Sequence, residues 1–336
     1  MSMSRHYYTP SRRFEQSLDV YTPPKGSVTP TAPLVVLVVG SAWLGHRWSI
    51  YAGTSWWNSS GPKTIAKVGA VCVCVRHRGA FPLLPFSPSK MSTGGLVLAL
   101  AVLLTPLLFV LPVVFLLLAL WSCAASGAAT HAEMMDDVAS ALLWVREHRA
   151  ALTAAPEHRP QDKLIFGGYS SGAHVAACLL QRPELLKERG LPPPSELCDG
   201  VLLLSGVLGT RLTCEPSAAP RGAPALTDTI AAVVFGTDAA AALPSPVHDI
   251  DASPALPHLL VCCEHEVFGL PVVEAAFGVY FASREFRERL SRRGVPATLV
   301  EVRSDHWFVL GSEVLAQALR QHLFGLAEAS KVVYVD

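Results

Sequence analysis

The 336-residue sequence is short of charge: Asp, Glu, Lys and Arg make up 16% of it, and 27 basic residues balance 27 acidic ones to a formal net charge of zero. No Lys/Arg block is present to track a phosphate backbone, which argues against nucleic acid as a partner. The N-terminal stretch MSMSRHYYTPSRRFEQ lacks the apolar run and cleavage site of a secretory leader, so the folded part of the chain is expected to face the cytosol. There is no internal repeat. The eight cysteines sit mostly inside apolar runs such as VCVCV and LLVCC, and their spacing suits no zinc site. Neighbours in one strand point to opposite faces and pair poorly, so eight reduced thiols are expected, and neither metal nor organic cofactor.

What the sequence has in excess is apolar residues, 51% of the chain, enough for one large core. Short runs rich in Val, Leu and Cys read as buried strands at Leu34–Val39, Ala70–Arg76, Leu164–Gly168, Val201–Leu204, His258–Cys263 and Ala297–Val302, with Ser17–Tyr21 as an extra edge strand. Their apolarity is continuous rather than alternating, as in a parallel sheet covered on both faces. Helical patterns lie between them at Glu133–Arg149, Ser171–Arg189, Asp228–Leu243, Val272–Arg293 and Ser312–Ala329. The alternation predicts a mostly parallel, doubly wound α/β sheet flanked by helices, joined through Pro-rich connections at Thr22–Pro33, Leu191–Pro194 and Cys214–Pro224.

One turn carries chemistry. Gly168-Tyr169-Ser170-Ser171-Gly172 follows a strand and opens a helix, which is the setting that G-x-S-x-G requires to expose a serine hydroxyl at the carboxyl edge of a sheet. The helix N-terminus beneath it favours developing negative charge. A serine hydroxyl needs a base and an orienting carboxylate, in the chain order Ser, acid, His for this setting. His306, in the loop after the last strand, is the best placed of the twelve histidines. Glu264 and Glu266 follow His258–Cys263, and Asp305 beside His306 reads as a turn residue.

Gly168-Tyr169-Ser170-Ser171-Gly172-Ala173-His174 resembles the elbow of the isoprenylcysteine methylesterases, kynurenine formamidases and related hormone-sensitive-lipase-like esterases of the α/β-hydrolase fold. Leu18-Asp19-Val20-Tyr21-Thr22-Pro23 resembles their opening motif, Arg76-His77-Arg78 stands where they carry a tyrosine-arginine pair, and Leu204-Ser205-Gly206-Val207 also matches. The resemblance implies a serine carboxylesterase with Ser170 as nucleophile and His306 as base. It aligns Glu266 with the position of their usual aspartate, leaving Glu264 in reserve. Their H-G-G-G-W loop corresponds to Val39-Gly40-Ser41-Ala42-Trp43 here, which implies oxyanion donors at the amides of Ser41, Ala42 and Ser171 despite the lost histidine and two lost glycines. Trp43, Trp48, Trp56 and Trp57 are candidates for an apolar acyl pocket or for core packing. The gibberellin receptors resemble the same esterases without hydrolysing their ligand, so a ligand-binding or scaffold protein is the alternative to an enzyme.

The run from Gly94 to Trp121 carries no charge and is long enough to span a bilayer. It divides the chain into residues 1–90, an insert at 91–125, and 126–336, with the flanking parts forming one hydrolase domain. A single crossing would put the two parts of one sheet on opposite sides of a membrane. Pro106 and Pro112 interrupt the helical ladder, so a membrane-associated helical hairpin after the fourth strand is expected, with Arg76, Arg78 and Lys90 at headgroup level. A catalytic mouth facing lipid implies a small lipophilic ester as substrate, with a prenylcysteine methyl ester favoured within the resembling group.

Overall fold

A computed structural model of the chain describes residues 1–24, 33–43, 55–80, 129–152, 163–209, 235, 243–264, 266, 278–323 and 332–335. The apolar runs form strands β1 (Ser2–Tyr7), β2 (Ser17–Thr22), β3 (Leu34–Val38), β4 (Val71–Val75), β5 (Leu164–Tyr169), β6 (Gly200–Leu204), β7 (His258–Cys263), β8 (Ala297–Val302) and β9 (Val332–Val335). They make a single nine-stranded sheet in the order β1-β2-β4-β3-β5-β6-β7-β8-β9. The pairs β1–β2 and β2–β4 are antiparallel and the remainder parallel.

The described helices are α1 (Ser55–Lys67), α2 (His131–Leu152), α3 (Ser171–Leu180), α4 (Pro183–Glu188), α5 (Pro194–Leu197), α6 (Val279–Arg292) and α7 (Glu313–Leu323). Alternate strand residues bury on opposite faces. Val36, Val73, Phe166 and Leu203 pack with Met134 and Val138 of α2, Val175 and Leu179 of α3, and Phe286 of α6. Val35, Cys72, Ile165 and Leu202 face the other way, against Ile65 of α1 and Leu315 and Leu319 of α7. This is why the central strands are apolar at every position rather than at every second one.

Some expectations need correction. Ser171–Arg189 is two helices, because Pro183 has no amide hydrogen to continue α3 and instead starts α4. β2 is not an edge: the polar N-terminus pairs with it as β1, with Ser2 opposite Thr22 and Tyr7 opposite Ser17. Its outward side chains gave no apolar signal. Arg76 and Arg78, expected at headgroup level, are engaged inside the protein. Arg76 and Arg5 both bond the buried Asp19, while Arg78 reaches Asp137 at 2.9 Å and Glu133 at 3.3 Å. Burial works against the Asp19 charge, yet the two guanidiniums hold its carboxyl below the usual range.

Cys72, Cys74, Cys178, Cys198, Cys262 and Cys263 are buried free thiols. Cys123, Cys214, Lys90 and the whole Gly94–Trp121 segment lie outside the described residues, as do Asp228–Leu243 apart from positions 235 and 243. Among the described residues no helix is long and apolar enough to cross a membrane.

Candidate active site

β5 delivers Tyr169 to the carboxyl edge of the sheet, and Ser170 then turns sharply, at φ 55° and ψ −127°, before α3 begins. A non-glycine residue with positive φ is strained, and here the surroundings hold it. The Ser170 amide donates to the Leu204 carbonyl at 2.9 Å, and its carbonyl accepts from Ala173, His174 and Val207. Close approach explains the glycines. A β-carbon on Gly172 would stand 2.3 Å from the Val38 carbonyl oxygen, and one on Gly40 would stand 2.6 Å from the Ser170 Cβ. The end of β3 is therefore packed directly against the serine turn.

His306, from the loop after β8, reaches that turn from the other side. Its Nε2 lies 2.9 Å from the Ser170 hydroxyl, and its Nδ1 lies 2.7 Å from Glu266 Oε2. The other Glu266 oxygen accepts the Cys263 amide at 2.9 Å, and the Glu266 carbonyl accepts the His306 amide at 3.0 Å. His306 is 5% exposed and Glu266 1%. Tyr169 donates its phenol to the His306 carbonyl at 2.7 Å. Burial, reinforced by the Glu266 charge, pushes the Tyr169 hydroxyl well above its ordinary pKa, so it stays a donor.

Glu264 is not brought to the site. Its side chain is 49% exposed and pairs with Arg303 at 3.5 Å. Asp305 caps the turn that carries His306, accepting the amides of Trp307 and Phe308 at 2.9 Å each.

The loop after β3 departs from the expected three amide donors. The Ser41 amide is engaged, donating to the Ser171 hydroxyl oxygen at 2.9 Å, and the Trp43 amide donates to the same oxygen at 3.3 Å. Ala42 lies between them. Ala42 and Trp43 take φ of 50° and 60°, the left-handed region, at a cost of about 1 kcal/mol or more each for residues with a β-carbon. The Ser41 hydroxyl is buried, with no hydrogen-bond partner among the described residues. Trp43 is buried, Trp48 lies outside the described residues, and of Trp56 and Trp57 only the backbone is described.

His174 closes the elbow motif, but the sequence assigns it no role; it stands four residues after Ser170, in the first turn of α3. Its Nε2 lies 2.8 Å from the Pro244 carbonyl; with the hydrogen there, Nδ1 is the acceptor for the Trp43 indole at 3.4 Å and His131 Nε2 at 3.1 Å. Burial lowers the His174 pKa to about 4, which keeps the ring neutral. His131, His174 and Cys178 offer three ligand atoms within 4.8 Å of one another. Both His174 nitrogens are already engaged, and burial pushes the Cys178 thiol well up, away from the thiolate a metal takes, so the group reads as a hydrogen-bond network.

Neither a family model nor a curated protein matches the sequence. Solved structures do. Esterase B from Lactobacillus Rhamnosis aligns over 97% of this chain and 84% of its own, with a TM-score of 0.56 at 14% identity. The chain has the α/β-hydrolase fold. The same esterase B inhibited by a C4-C4 SN3 tributyrin phosphonate aligns with a TM-score of 0.55 at 14% identity, over 96% of this chain and 84% of that one. Thermogutta terrifontis Est2 with butyrate bound gives 0.52 at 17%, over 98% of this chain and 96% of its own. In this fold the loops beyond the carboxyl ends of the strands form the ligand face, which is where Ser170, Glu266 and His306 meet.

Proposed function

We propose that the chain is a serine carboxylesterase. The observation that carries the reading is the Ser170 hydroxyl, held at a strained turn 2.9 Å from an imidazole whose other nitrogen is 2.7 Å from a buried carboxylate. Ser170 attacks the ester carbonyl carbon as His306 Nε2 takes the hydroxyl proton. The imidazolium is stabilised by Glu266, which also fixes the tautomer by accepting the hydrogen on Nδ1. The amides of Ala42 and Ser171 stabilise the oxyanion, the Ser41 amide being engaged elsewhere. His306 returns the proton to the leaving alcohol, then activates the water that releases the acid from the acyl enzyme. The chain's own residues complete this cycle without a cofactor.

The proposed substrate is a small lipophilic ester, drawn from a membrane on which the Gly94–Trp121 segment rests, with the catalytic domain on the cytosolic side and a prenylcysteine methyl ester as the specific candidate. Support for these finer points is the uncharged length of that segment and the elbow's resemblance. The test is hydrolysis of a p-nitrophenyl ester series starting at butyrate, by the full chain in detergent, with fluorophosphonate labelling in parallel. Turnover and labelling are expected, and both vanish in Ser170→Ala. A folded chain that does neither is a ligand-binding protein on a hydrolase fold.

A further inference from the structure

The loop after β3 has a backbone that its residue types disfavour, since Ala42 and Trp43 both take positive φ where a glycine would do so freely. Something outside the loop has to hold it. The Ser171 side chain is fully buried, and its oxygen accepts the amides on either side of Ala42, from Ser41 at 2.9 Å and from Trp43 at 3.3 Å. The Trp43 carbonyl accepts the Ala80 amide at 2.8 Å, and its indole donates to His174 one turn further along α3. Three of these four bonds run to α3, which starts directly after Ser170, so the loop and the serine are held in one frame.

We infer that the Ser171 hydroxyl is a positioning residue for this loop. It does not touch substrate; by accepting the two flanking amides it sets the direction of the Ala42 amide between them, and so the aim of an oxyanion donor. This rests on the esterase reading and deepens it. Oxyanion donors act only over a narrow range of distance and direction, so a loop released by a fraction of an ångström loses rate more than substrate affinity. The role is distinct from that of the Ser171 amide, which belongs to the backbone and survives replacement of the side chain.

The experiment is Ser171→Ala in the full chain, assayed on a p-nitrophenyl ester beside the parent and beside Ala42→Gly/Ser171→Ala. The single variant is expected to lose about 10- to 100-fold in kcat with KM changed by no more than about threefold. The double variant is expected to recover several-fold in kcat, because glycine takes the left-handed conformation without the clamp. A residue that merely packs would not be rescued by a glycine in the neighbouring loop. If Ser171→Ala does not fold, Ser171→Cys, whose sulfur is a weak acceptor, is read by the same criteria. A kcat at or above the parent's, a loss confined to KM, or a loss that Ala42→Gly leaves in place would each overturn the role. A parent chain without turnover refutes the esterase reading, and this role with it.

Discussion

Replacing Glu266 by Gln tests the proposed mechanism at the point where two neighbouring glutamates compete. The carboxylate accepts on both oxygens, from His306 Nδ1 at 2.7 Å and from the Cys263 amide at 2.9 Å. An amide of the same shape has one acceptor and one donor. If its oxygen faces His306, its NH2 meets the Cys263 N–H, a buried donor against a donor, at about 1–3 kcal/mol of stability. If its NH2 faces His306, the imidazole must carry its hydrogen on Nε2, the atom 2.9 Å from Ser170, and can no longer take the serine proton.

The second orientation relieves the conflict at Cys263, so the activity loss is expected to dominate: about 10⁴-fold in kcat, the scale of the corresponding change in serine proteases and about 5 kcal/mol of barrier. The assay is kcat on p-nitrophenyl butyrate at pH 8, with Glu264→Gln as the comparison. The Glu264 side chain is half exposed and pairs with Arg303 at 3.5 Å, so its loss should leave kcat within about twofold. A Glu266→Gln enzyme within tenfold of the parent, or a larger loss in Glu264→Gln, would refute this assignment of the acid.

Gly172→Ala forces a β-carbon to 2.3 Å from the Val38 carbonyl oxygen, backbone against backbone, and is expected to cost about 3 kcal/mol in urea unfolding; an unchanged midpoint would contradict the close packing. Ser41→Ala removes a buried hydroxyl that has no partner among the described residues and keeps the backbone, so unfolding free energy should rise by about 1 kcal/mol. A fall would mean that the hydroxyl is bonded. Burial lowers the pKa values of His174, His258 and His322 to about 4, below the ordinary value near 6.5. The unfolded chain therefore binds more protons between these limits: stability is full above about pH 6.5 and is lost as pH falls towards 4, by up to about 3 kcal/mol per histidine. Melting temperatures across pH 4 to 8 check this, and a flat profile would refute it.

Much of the fold was legible because close packing leaves local marks. A strand buried on both faces is apolar at every residue, as Val71–Val75 is, and a turn that presses a serine against β3 needs small neighbours, as Gly172 is. β1 left no such mark, since an exposed edge strand such as Ser2–Tyr7 has polar residues and gains its identity from pairing with β2. The break in Ser171–Arg189 was signalled by Pro183, whose weight as a stop the apolar pattern of the helix obscured.

At the site, the sequence by itself determined the serine turn and the positions of His306 and Glu266 relative to their strands, because a strand's end is set by its own residues. Only the tertiary structure decided that Glu266 meets the imidazole while Glu264, two residues earlier, faces Arg303 and solvent. It also decided that the Ser41 amide binds Ser171 and that His174 holds Trp43. These partners stand about 130 residues apart in the chain, and their distances follow from which strands the sheet places side by side. Local propensity carries no record of that juxtaposition; burial and hydrogen-bond pairing across β3 and β5 create it.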